Sequence, residues 1–290
     1  MVREVSVRSV LNRHKKRDDW FLDDYSVNPY RSCEFNCVYC YIHGGRYGGA
    51  GGELAVKVNA PKVLGKELHR RARRGEYGFI SLSSATEPWM GIEEKYEVTR
   101  RCLRVIANYR FPVHCLTKST LILRDIDLLR EIRDRAILPH DLRERLRCGV
   151  LVTFSISTLD DGVAGIFEPN APRPLERLEA LSRLREEGLN CGVALIPVLP
   201  FISDSGEELE ETFRIVRDFS PDYIFVGALT LNGLGRQLYY RVLDRHFPEL
   251  LPKYRELFRS STQPCRGYRM RLEEVAKSLC ERYNLRYKIL

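Results

Sequence analysis

The chain has 290 residues, 44% apolar and 30% charged, with a formal net charge of +8. That length suits one α/β barrel, no apolar run reaches the length a membrane span needs, and the N-terminus lacks the apolar stretch of a secretory signal. The nine cysteines, an odd number with only three clustered, argue against a secreted disulfide framework and for a reducing cytoplasm with a metal or catalytic site.

An extended segment over 24–28 leads into the loop "NPYRSCEFNCVYCYIHGG". The stretch 44–52 holds six glycines but lacks the Gly-Lys-Ser/Thr ending of a phosphate loop, so it is expected to be a flexible loop beside the cysteines. Pro61 opens a basic helix that ends near Gly75. Strands are expected at 78–84, 111–117, 150–158, 191–200 and 222–229, each a near-continuous apolar run. Helices are expected between them, over 93–108, 125–135, 175–187 and 207–219, from their apolar spacing.

Apolar strands alternating with helices read as a parallel sheet covered by helices. Right-handed crossovers then curl six βα units into a partial (β/α)6 TIM-type barrel. After Leu231 the pattern changes to helices, with Leu272, Val275, Ala276, Leu279 and Tyr283 along one face of the last. The expectation is one domain over 1–290, with a barrel core at about 24–235 and a basic helical C-terminal extension over 236–290. Oligomeric state is not legible.

Cys33, Cys37 and Cys40 follow the spacing C-x3-C-x2-C at the end of the first strand. Structural zinc and iron–sulfur sites usually take four protein ligands. Three thiolates leave one coordination position open, at the strand end where barrel chemistry is assembled. The alternative is a zinc site with His43 as fourth ligand, which would make the protein a non-catalytic zinc- or cluster-binding module.

The cysteine spacing with Tyr39 before the last cysteine resembles the signature of the radical S-adenosylmethionine (radical SAM) enzymes. "NPYRSC…CVYCY", "TEPWMGIE", "LTKSTLILRDIDLL" and "FEPNAPRPLERLEAL" are similar to the group that contains spore photoproduct lyase. The resemblance covers about 28–231. It implies a [4Fe–4S] cluster on the three cysteines, with S-adenosylmethionine chelating the open iron. Reduction would come from an electron donor such as ferredoxin or flavodoxin. The resulting 5′-deoxyadenosyl radical would abstract hydrogen from substrate. Carried over by motif, Glu87 would meet the methionine amino group and Lys118 the methionyl end of the cofactor. Ser155 and Ser157 alternate on the fourth strand, so both hydroxyls are expected at the barrel mouth near the ribose. Glu168 and Arg177 would bracket the ribose or carboxylate. Tyr39 and Tyr41 match the lyase's paired tyrosines, as cofactor wall and catalytic pair.

The chain departs from the lyase at Ala85, where that family carries its cysteine hydrogen donor. Repair by that route is not expected. Residues 236–290 carry 13 Lys and Arg against 6 Asp and Glu, hence +7 of the +8. Aromatics are interleaved with them: Tyr239, Tyr240, Phe247, Tyr254, Phe258, Tyr268, Tyr283 and Tyr287. Arg266, Arg269 and Arg271 cluster around a turn. Basic residues with stacking platforms suit a nucleic acid or nucleotide; the same chemistry on a small molecule or peptide is the alternative.

Overall fold

The computed structural model describes residues 2–43, 53–82 and 85–290. The glycine-rich stretch 44–52 and the end of the second expected barrel strand, 83–84, lie outside them. The N-terminal residues, unassigned by pattern, form two short strands, β1 (Arg3–Val5) and β2 (Leu11–Arg13). The first barrel strand β3 (Asp23–Val27) runs into the cysteine loop. Two more short strands, β4 (Tyr30–Arg31) and β5 (Ala55–Lys57), flank that loop, and β5 pairs with both β1 and β4 in a small three-stranded sheet. α1 (Ala60–Arg73) completes the first crossover, with proline in its opening turn.

The next units follow the expected alternation. β6 (Phe79–Leu82) leads to α2 (Glu93–Tyr96) and α3 (Val98–Asn108). One continuous helix was expected there. Glu97 breaks it, with φ of 49°. The buried Glu93 carboxylate accepts the N–H groups of Thr99 and Arg100 at 3.0 Å each, which caps the second helix. β7 (Val113–Thr117) and α4 (Ile126–Arg135) are joined by a 3-10 turn over Thr120–Asp125. β8 (Val150–Ser155) is followed by a short helix the pattern did not disclose, α5 (Asp161–Phe167), then α6 (Pro174–Glu186). β9 (Asn190–Val198), α7 (Gly206–Asp218) and β10 (Tyr223–Ala228) finish the alternation.

The large sheet has the order β10-β9-β8-β7-β6-β3-β2. β3 and β6 to β10 pair in parallel with their sequence neighbours, and β2 adds antiparallel to the free edge of β3. This is the partial (β/α)6 barrel. The period of two divides each strand between two cores. Ile80, Val113, Val152, Val193 and Ile224 face the helices, while Phe79, Leu151, Ala194, Tyr223 and Phe225 belong to a separate inner cluster. Both faces being buried explains why the strands read as unbroken apolar runs. The bottom of the lumen is plugged from the N-terminal side. Trp20 and Phe21 meet Phe225 edge-on, at 5.8 and 5.5 Å between ring centroids. His114 sits beside them, donating from Nδ1 to the Phe21 carbonyl and accepting at Nε2 from Thr153.

The tail forms α8 (Gly233–His246), α9 (Leu251–Phe258) and α10 (Arg266–Arg282). It is not helical throughout: the end of the chain returns to the sheet, where Tyr287 bridges Ile224. Leu272, Ala276 and Leu279 are buried on the face of α10 where they were expected, joined by Tyr268 and Cys280, whereas Val275 is 38% exposed. Four of the eight expected stacking platforms, Tyr239, Tyr254, Phe258 and Tyr268, are core, and the other four are half-buried. Tyr239, Tyr254 and Phe258 are at most 1% exposed. With Leu231 and Leu243 they form a third cluster beneath Phe35, Cys37 and Tyr39 of the cysteine loop. Burying large rings there gives that loop a rigid seat.

Candidate active site

The three cysteines are free thiols. They line one cavity of about 410 Å³ at the C-terminal end of the parallel strands, together with Tyr39, Glu87 and Lys118. A second cavity of about 740 Å³ extends down the barrel lumen and shares Tyr41, Glu87 and Lys118 with the first. The two are the ends of one chamber.

Glu87 stands at the junction, 6% exposed. Its Oε1 accepts from Thr117 Oγ1 at 2.6 Å and from the Trp89 amide at 3.1 Å; Oε2 accepts from the Lys118 amide at 2.9 Å. Burial pushes its carboxyl above the usual range, against the pull of these donors. Thr117 was not anticipated as a site residue, although it directly precedes Lys118 at the end of β7. Lys118 Nζ donates to Ser155 Oγ at 2.8 Å and lies 5.7 Å from the Tyr39 ring centroid. The strand ends place these side chains together because β7 and β8 are adjacent and parallel.

The two serines separate. β8 ends at Ser155, which lines the lumen cavity and donates to the Ile196 carbonyl at 3.0 Å. Ser157, beyond the strand, lies outside both cavities and donates to Glu168 Oε1 at 2.8 Å. The strand's alternation, which put both hydroxyls on one side, stops too early to hold for Ser157. Glu168 and Arg177 also lie outside both cavities. They form a buried ion pair, each side chain 1% exposed, without hydrogen-bond alignment at Oε2. Arg177 also donates to the carbonyls of Pro172 and Ser155. Burial opposes ionisation of Glu168, but Arg177 and Lys118 together hold its carboxyl below the ordinary value. Glu168 in turn accepts from the Tyr39 hydroxyl, whose pKa burial and this carboxylate raise far up. These residues anchor the Tyr39 ring from behind. Tyr41, at 53% exposure, lines both cavities.

Among the described residues no three His, Cys, Asp or Glu side chains converge on one point as a single ion requires. His43 Nε2 is occupied, donating to the Cys37 carbonyl at 2.8 Å. A mononuclear Cys3His site is therefore a poor fit. A four-iron cluster is a better one, since its thiolates bind different irons and need only surround a cavity. Burial raises all three thiols, Cys33 to about 11. Thiolate formation there depends on a bound cation.

Three cysteines at the C-terminal mouth of a parallel partial barrel stand where barrel enzymes assemble their chemistry. The chain belongs to the radical SAM superfamily: that family's model matches residues 27–216. An uncharacterised protein of Mycobacterium tuberculosis is 30% identical over 268 residues, covering 90% of this chain and 75% of the relative. A radical SAM Nalpha-GlyT isomerase of Pseudomonas phage M6 is 23% identical over 241 residues, which is 82% of this chain and 46% of the isomerase. Among solved structures, spore photoproduct lyase complexed with dinucleoside spore photoproduct superposes with a TM-score of 0.72. It shares 15% identity and covers all of this chain and 82% of its own. The fold is that of the lyase, and the chain is a radical SAM enzyme.

Among the described residues no helix is long and apolar enough to cross a membrane.

Proposed function

We propose that Cys33, Cys37 and Cys40 hold a [4Fe–4S] cluster, that Glu87 and Lys118 bind S-adenosylmethionine beside it, and that the substrate is a nucleotide or nucleic acid. The observation that carries the first two parts is the shared chamber. Three thiols, a buried carboxylate and a lysine line one cavity at the strand ends. When bound, the cofactors supply reductive cleavage of the sulfonium to a 5′-deoxyadenosyl radical, which takes a hydrogen atom from substrate.

The chain's own residues bind, orient and exclude water. Glu87 offers a fixed carboxylate to an ammonium, its geometry set by Thr117 and two amides. Lys118 offers a cation held by Ser155. Tyr39 supplies an aromatic wall, and Ser157, Glu168 and Arg177 serve as positioning residues behind it. Its hydroxyl is committed to Glu168, so Tyr41 is the tyrosine of the pair that can meet a substrate. An electron donor such as ferredoxin or flavodoxin would reduce the cluster.

Two features support the substrate class. A structural neighbour holds a dinucleoside and a sequence relative bears the name of a GlyT isomerase. Arg266, Arg269 and Arg271 are exposed on α10. Ala85 lines the cysteine cavity where the lyase family has its donor, so restoration of thymine from spore photoproduct is not expected.

Anaerobic reconstitution tests the cofactor part. About four irons per chain are expected, with slow substrate-free release of 5′-deoxyadenosine. Cys33→Ala, Cys37→Ala and Cys40→Ala should each abolish the colour, and His43→Ala should keep it. A colourless zinc protein that loses its metal on His43→Ala would overturn the reading.

A further inference from the structure

The tail holds most of the net charge, yet the helix whose own charge is least balanced is α1. It carries five cations against one acid, whereas α10 carries five against three. The one acid, Glu67, is turned to the N-terminal segment, where it accepts from Ser9 and from the amides of Val10 and Leu11. Lys62, Lys66 and Arg70 follow at intervals of four, so they form a row on one face, with a rise of about 6 Å per step. All three are exposed, and among the described residues none has an ion-pair partner. Like charges at this spacing repel and weaken a helix. The row lines a groove of about 550 Å³ between α1 and α3, with no carboxylate among its described lining residues. α3 itself contains no acid and exposes Arg101 and Arg104. Two rings share the groove, Tyr109 half-buried and His69 edge-on to it at 6.0 Å between centroids. Gly65 leaves Tyr109 uncovered, since a Cβ there would lie 3.9 Å from that ring.

We propose that this groove binds the phosphodiester backbone of a single-stranded nucleic acid, with Lys62, Lys66 and Arg70 on its phosphates and Tyr109 and His69 facing a base. The proposal rests on the substrate being a nucleic-acid strand rather than a free nucleotide. One cation per turn in a row matches a line of negative charge better than a single phosphate. The rings select a single strand, whose bases are free to stack, over a duplex. An acidic protein segment would use the cations and leave the rings idle. α1 is the crossover from the C-terminal end of β3 to β6, so it starts at the end of the barrel where the chamber opens. The row therefore begins on the side that a strand leaving the chamber reaches.

Fluorescence anisotropy on the purified full chain tests this, with fluorescein-labelled oligo(dT) and oligo(U) of about 15 nucleotides. Polyglutamate serves as the peptide polyanion. At least one oligonucleotide should bind, with log affinity falling linearly against log salt, and the stronger of the two tells DNA from RNA. The triple variant Lys62→Gln, Lys66→Gln, Arg70→Gln should lower that slope by about 2, and the affinity about a hundredfold at about 0.1 M salt. Lys62→Arg, Lys66→Arg and Arg70→Lys together should keep both. The same charge loss in the exposed turn before β8, by Arg143→Gln, Arg145→Gln and Arg147→Gln, should leave the slope unchanged. Tyr109→Leu should weaken the oligonucleotide and not polyglutamate. An unchanged slope in the α1 triple, or an equal loss in the Arg143 triple, overturns the groove and leaves a nucleic-acid substrate standing. Tighter binding of polyglutamate than of either oligonucleotide overturns it in favour of an acidic protein partner. A native protein that binds neither oligonucleotide at low salt defeats the nucleic-acid reading itself.

Discussion

Replacing Arg177 with methionine removes the guanidinium from a pair in which each side chain is only 1% exposed. Three groups lose a partner: the carbonyls of Pro172 and Ser155, and the Glu168 carboxylate, which keeps its hydrogen bonds from Tyr39 and Ser157 but loses its counter-charge. Stranding one member of a buried pair costs about 3–5 kcal/mol. For 290 residues the unfolding entropy is about 0.6 kcal/mol/K, so the melting temperature should fall by about 5–8 °C. Glu168→Gln in the same background no longer leaves a naked charge, and the double variant should regain about 2 kcal/mol. The carbonyls remain unpaired, so recovery is incomplete. Calorimetry of the three proteins and the parent measures the cycle. A melting temperature within 1 °C of the parent for Arg177→Met, or a double variant less stable than the single, would refute the reasoning.

Burial holds His114 neutral, with a pKa lowered from 6.5 to about 4. In that interval the unfolded chain binds more protons than the folded one. Stability from this group is thus full above pH 6.5 and falls by about 3 kcal/mol as pH drops to 4. His114→Gln should flatten that part of the unfolding profile; an unchanged slope would show that His114 does not titrate there. A Cβ on Gly192 would sit 2.2 Å from the Tyr223 ring, so Gly192→Ala should cost about 1–3 kcal/mol. The cost should shrink in a Tyr223→Ala background, and equal cost in both would disprove the clash. If α10 contacts nucleic acid, replacing Arg266, Arg269 and Arg271 with Gln should lower the slope of log affinity against log salt by about 2–3. Undetectable binding of DNA and RNA at low salt would favour the small-molecule or peptide alternative.

The alternation of strands and helices, the parallel sheet and the cysteine loop were legible in the chain alone. Each is a local signal: apolar runs of strand length, amphipathic spacing, and three thiols within eight residues. Glu87 and Lys118 were singled out only by motif resemblance, and the fold brings them to one cavity because strand ends of a parallel barrel converge. Tertiary structure decided what spacing cannot encode. Ser157 left the mouth because β8 ends two residues earlier. Glu168 and Arg177 turned inward to brace Tyr39, a pairing between a loop and a helix that no local pattern records. Tyr239, Tyr254 and Phe258 of the tail went into the cluster of the cysteine loop, while Tyr268 joined the main core; an aromatic reads alike in sequence as platform or as core.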